Sequence, residues 1–82
     1  MNRVAQVVPR TDHQVEVTFT DGFSAVIKLR PFLDKGIAAE LLAPEKFALV
    51  TVEDGGGISW PNGFDVCPEF LRELAEKRQA AA

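Results

Sequence analysis

Period-two alternation of apolar and polar residues governs the first third of the chain. In VEVTF, residues 15–19, Val15, Val17 and Phe19 fall on one side of an extended segment. In FSAVIKL, residues 23–29, Phe23, Ala25, Ile27 and Leu29 do the same. The intervening Thr20-Asp21-Gly22 is a turn signal, because Asp-Gly tolerates the positive φ of a tight hairpin. A β-branched run, VAQVV at 4–8, precedes them and is closed by Pro9. Together these runs predict a meander of three antiparallel strands with one buried face.

The alternation is lost after Pro31. A short helix is expected between Pro31 and Leu42, ending before Pro44 because the residue preceding a proline is steered away from helix. FALVTVE, residues 47–53, is nearly continuously apolar and predicts a strand in a central or doubly covered position. Asp54 to Gly57 should turn the chain, and Ile58-Ser59-Trp60 should return it as a fifth strand, completing a second hairpin. Pro68 opens a helix with Glu69 in its first turn and an apolar stripe of Phe70, Leu71, Leu74 and Ala75. The expected fold is therefore α+β, a single domain over residues 1–82: a three-stranded antiparallel meander, a short helix, a second β-hairpin and a C-terminal helix packed on the sheet.

Composition narrows the function classes. Hydrophobic residues make up 46% and charged residues 26%, which is globular rather than disordered or membrane-spanning. The N-terminus shows no secretory signal, and the single cysteine, Cys67, has no internal disulfide partner, so a cytoplasmic location is expected. An 82-residue core leaves a thin margin of stability, which keeps homodimerisation open. The net charge of −3 is uneven: residues 40–76 carry eight acids against Lys46 and Arg72. That half disfavours phosphate backbones and suits a basic partner.

Seventeen residues, GGGISWPNGFDVCPEFL from Gly55 to Leu71, hold the only Trp, the only Cys and four of six glycines. With Phe19, Asp21, Gly22, Pro31, Phe32, Leu33, Leu41, Pro44 and Phe47 before it, the block Ile58, Trp60, Pro61, Asn62, Gly63, Asp65, Pro68, Glu69, Leu71 resembles the bacterial domain-of-unknown-function family 2442 over nearly the whole chain. The resemblance implies a small α+β domain of a kind first seen beside a helix-turn-helix segment, for which this chain has no room. It also implies a partner, since members are often encoded beside another small uncharacterised domain in what looks like a toxin-antitoxin arrangement. It implies no established chemistry.

Read from its own residues, the block is first a piece of architecture. Pro61-Asn62-Gly63 reverses the chain, Trp60 is a large ring to bury, and Asp65 is placed to bond backbone N–H groups at the mouth of the last helix, with Cys67 as the other capping position. Its functional reading is that Trp60, Asn62 and Asp65 edge a groove for a partner peptide or small ligand. Cys67 is expected to be buried and inert, and His13 to be a surface turn residue. No cofactor or metal motif is present in the sequence. The leading expectation is a non-enzymatic interaction module, the antitoxin-like or regulatory member of a two-gene pair, binding a small cognate protein. A β-augmentation site on the VAQVV edge would suit it. The alternatives are a small thiol-dependent hydrolase using Cys67 and Asp65, with His13 as base, and a nucleic-acid-binding regulator using Arg3, Arg10, Lys28 and Arg30.

Overall fold

Val15, Val17 and Phe19 share the buried face that their alternation predicts, at 0–2% exposure. In the computed structural model, which describes the backbone of residues 2–81 and side chains as far as Lys77, they lie on β2 (Gln14–Phe19), between β1 (Val4–Arg10) and β3 (Ser24–Lys28). Both pairings are antiparallel. β1 runs past Pro9, two residues beyond the expected stop, for a reason visible in the register. Phe19 and Leu29 donate to the carbonyls of Phe23 and His13, so the odd residues of β2 bond β3 and the even ones bond β1. Pro9 lies opposite Val15, where no donor toward β2 is needed.

The segment after β3 is helical but tighter than expected. It forms two 3₁₀ stretches, Arg30–Phe32 and Gly36–Leu42, and in the second the buried residues Ala38 and Leu41 are three apart. The expected strand at Phe47 does not form. Pro44 instead starts a one-turn helix, α1 (Pro44–Phe47), with Pro at its first position and Glu45 in its first turn. Phe47 and Val50 are buried while Ala48 and Leu49 are exposed, a spacing of three that a strand cannot provide. The strand that follows, β4 (Thr51–Val52), is exposed at both residues and is an edge, not the expected central strand.

β4 pairs with β5 (Ile58–Ser59), which pairs in turn with a strand the alternation did not announce, β6 (Asp65–Val66). This second sheet has order β4-β5-β6 and abuts the first where Val4 donates to the Gly56 carbonyl at 2.7 Å. Helix α2 (Pro68–Ala81) packs along β3 and closes the core with Leu71 and Ala75, both fully buried. Ile58, Trp60 and Val66 join the same core, so both sheets and α2 share one apolar interior.

Candidate functional site

Asn62 sits at the apex of the β5–β6 connection. Gly63 donates to the Trp60 carbonyl at 3.0 Å, and Trp60 donates to the Phe64 carbonyl at 2.9 Å. With Gly63 at φ +98°, this is a three-residue loop: a type I turn followed by a left-handed bulge residue. The Asn62 amide oxygen accepts from Phe64 N–H at 3.0 Å, while its Nδ2 donates to the Ile37 carbonyl at 2.9 Å and to Glu40 Oε1 at 3.1 Å. Both ends of the side chain are thus committed to holding the turn and fastening it to the 3₁₀ segment.

Trp60 is 3% exposed and lies between Phe47 and Phe64, each ring centroid 5.6 Å away. It is a core residue and does not edge a groove. Asp65 is exposed, and among the described residues its carboxylate accepts no hydrogen bond, so it does not bond the helix mouth as expected. The flanking residue of α2 is Cys67, whose carbonyl accepts from Leu71 N–H at 3.1 Å. Trp60, Asn62 and Asp65 therefore do not converge on one groove: Asn62 borders a depression with Leu49 and Pro61, Asp65 borders another, and Trp60 lines neither.

Asp65 borders the more suggestive hollow. About 210 Å³ in volume, it is walled by Leu29, Phe32, Leu33, Phe64, Val66 and Phe70, with Cys67 completing the rim. Phe32 and Phe70 meet edge to face at 5.4 Å yet remain 41% and 37% exposed. Cys67 is exposed, against the expectation of a buried thiol. The cause is strand alternation: Val66 turns into the core, which sends Asp65 and Cys67 to the open side. Phe70 was hidden within the expected stripe of α2. Its signal is angular, because Leu71 and Ala75 set the buried direction and Phe70 lies about 100° from Leu71.

His13 is elsewhere. It and Asp12 adopt left-handed backbone conformations, φ +57° and +61°, in the β1–β2 turn. Its Nε2 lies 2.8 Å from the Leu42 carbonyl, to which it must donate, and its ring packs on Phe47. His13 borders a separate depression of about 500 Å³ with Pro44 and Phe47, while Cys67 borders the Phe32–Phe70 hollow, so the structure does not present them as a nucleophile and base. Of the candidate basic residues, Arg3 donates to the Asp54 carbonyl at 2.8 Å and Arg10 pairs with Glu16. Among the described residues no three His, Cys, Asp or Glu side chains gather as a metal-ligand set.

The sequence profile of the family described as "Protein of unknown function (DUF2442)" matches residues 4–77, from the first residue of β1 to the last described side chain of α2. The chain belongs to this family. A search of curated proteins finds no match, and a search of solved structures finds none either. The residues that carry the DUF2442 block have mainly structural posts here: Asn62 fastens the turn, Trp60 fills the core and Pro68 opens α2. Among the described residues of this DUF2442 chain, no helix is long and apolar enough to cross a membrane.

Proposed function

We propose that this chain is a non-enzymatic protein-interaction module, the antitoxin-like or regulatory member of a two-gene pair, which grips a small cognate protein at the Phe32–Phe70 hollow. The carrying observation is that two aromatic rings are held against each other at a surface while more than a third exposed. Such rings bury large apolar area on association, and aromatic residues, Phe among them, are enriched in interfaces. The family's habit of being encoded beside a second small domain points the same way. The β1 edge is a poorer candidate: Val4 N–H is already taken by Gly56, and Pro9 has no donor. Co-expression with the product of the adjacent gene should give one gel-filtration peak containing both chains, and Phe70→Ser should split it. Separate elution of the unaltered pair would end this reading, and concentration-dependent self-association lost in Phe70→Ser would replace it with a homodimer.

A second reading, a thiol-dependent hydrolase, draws on the exposure of Cys67 beside Asp65. Hydrolysis of activated esters abolished by Cys67→Ala would establish it; an unchanged rate in that variant would dismiss it.

A further inference from the structure

Resting on the interaction-module reading, we infer that the occupant of the Phe32–Phe70 hollow is a basic segment of the partner, offering one bulky apolar side chain with a Lys or Arg close to it. Size sets the first condition. At about 210 Å³ the hollow falls below the roughly 300–1,000 Å³ of small-molecule sites and matches a single inserted side chain. Its walls are apolar or aromatic apart from the Asp65 carboxylate and the Cys67 thiol at the rim, so the inserted group is apolar.

Charge sets the second condition. Asp65 is the one charged residue lining the hollow, and its carboxylate has no ion-pair partner among the described residues. Glu69, exposed one position before Phe70, borders a different depression with Asn2, Arg72 and Glu73. The cation nearest in sequence on α2, Arg72, is already engaged: its guanidinium holds Asp21 and Glu76, each at 3.0 Å, and lies over the Phe23 ring at 4.3 Å. Lys77 stands 3.8 Å from Glu73. The charge at the β6 rim of the hollow is therefore negative and open, whereas the Phe32 side belongs to a segment that carries Arg30, Asp34 and Lys35. A partner's cation is favoured beside Asp65, with the anchor seated against the rings. Such complementarity selects and orients the partner more than it adds raw affinity.

The test is selection of random twelve-residue peptides displayed on phage against the folded full chain, with the retained peptides synthesised and their affinities measured. Recovered sequences should share a Leu, Met, Phe or Trp with a Lys or Arg within about three positions, and should bind Phe32→Ser and Phe70→Ser at least about tenfold more weakly, a difference of about 1.4 kcal/mol. The charge reversal Asp65→Lys should remove the preference for basic flanks while leaving the anchor requirement intact. Circular dichroism of each variant verifies the fold, and Phe32→Leu, which keeps an apolar wall, should retain most binding. Anchored peptides with neutral or acidic flanks would overturn the basic-partner inference and leave the interaction reading standing. Peptides indifferent to both Ser variants, or no enrichment at all, would overturn both.

Discussion

The indole Nε1–H of Trp60 donates to the backbone carbonyl of Phe47 at 2.8 Å, inside the core. Phe47 is the last residue of α1, where carbonyls have no intrahelical donor, so the indole satisfies a group that would otherwise be buried and unpaired. The bond also ties the second sheet to the segment under His13, whose ring packs on Phe47 at 5.3 Å. Trp60→Phe keeps an aromatic ring but removes the donor. It should destabilise the chain by about 1–3 kcal/mol for the stranded carbonyl, before any loss from the smaller ring. Urea unfolding followed by circular dichroism measures this, and an unchanged midpoint would show that the carbonyl finds another donor.

Two glycines of the Gly-rich loop should respond oppositely to the same change. A Cβ on Gly57 would overlap the Val66 carbonyl oxygen, which is backbone and cannot swing aside. Gly57→Ala must therefore push β5 and β6 apart, at a cost of about 1–3 kcal/mol. A Cβ on Gly55 meets nothing within 4 Å, and its φ is an ordinary one. Gly55→Ala should be neutral, or stabilising by about 0.4–1 kcal/mol through a less disordered unfolded chain. Melting temperatures of the two variants decide the matter, and equal shifts would refute the close approach.

Asn62 offers a finer test, because its two ends do different work. Asn62→Asp keeps an acceptor for Phe64 N–H but replaces the Nδ2 donor with an oxygen that meets the Ile37 carbonyl and the Glu40 carboxylate. A loss of about 1–2 kcal/mol is expected at neutral pH. Adding Glu40→Gln should restore part of it, since the new side chain carries a donor. No recovery in the double variant would mean that Glu40 is irrelevant to the turn.

What could be read from the sequence, and what could not, divides along physical lines. The first sheet was legible because one face is buried and the other solvated, so Val15, Val17, Phe19 and Ile27 write the pleat directly into the chain. FALVTVE misled because Leu49 and Val52 are apolar yet exposed, which disguised a spacing of three as a continuous run. β6 has two residues, too few for any period to register. The turn at Asn62 was visible as Pro-Asn-Gly, but not that its form repeats an earlier one: Asp21 likewise accepts from Phe23 N–H, and Gly22 likewise bonds back to Phe19 with φ +93°. The hollow was least legible, because Phe32, Phe64 and Phe70 lie on three separate segments, a 3₁₀ stretch, the β5–β6 connection and α2, and only the tertiary fold brings them together.

Cys67 should react in the folded state. Its exposure follows from the direction of Val66, so a disulfide-exchange reagent should label it without denaturant, at a rate comparable to that of the unfolded chain. A bulky adduct at the rim should also compete with any ligand of the Phe32–Phe70 hollow, whereas Cys67→Ala should still bind. Labelling that requires urea would contradict the outward orientation.

Asp21 predicts an acid-dependent contribution to stability. Its carboxyl is held below the ordinary value of 3.8, first by the hydrogen bond from Phe23 N–H and then by the Arg72 guanidinium. The folded state thus binds this proton less readily than the unfolded state, so stability rises with pH across the interval between the two values. The contribution is complete above 3.8 and is lost as pH falls through the lower folded-state value. Asp21→Asn retains an acceptor for Phe23 N–H, as Asn62 provides for Phe64, but removes the charge that Arg72 faces. The gap in urea midpoint between the native chain and this variant should therefore be constant near neutrality and close as the pH is lowered below 3.8. A gap that persists unchanged in acid would assign the effect of the substitution to the turn and not to the ion pair.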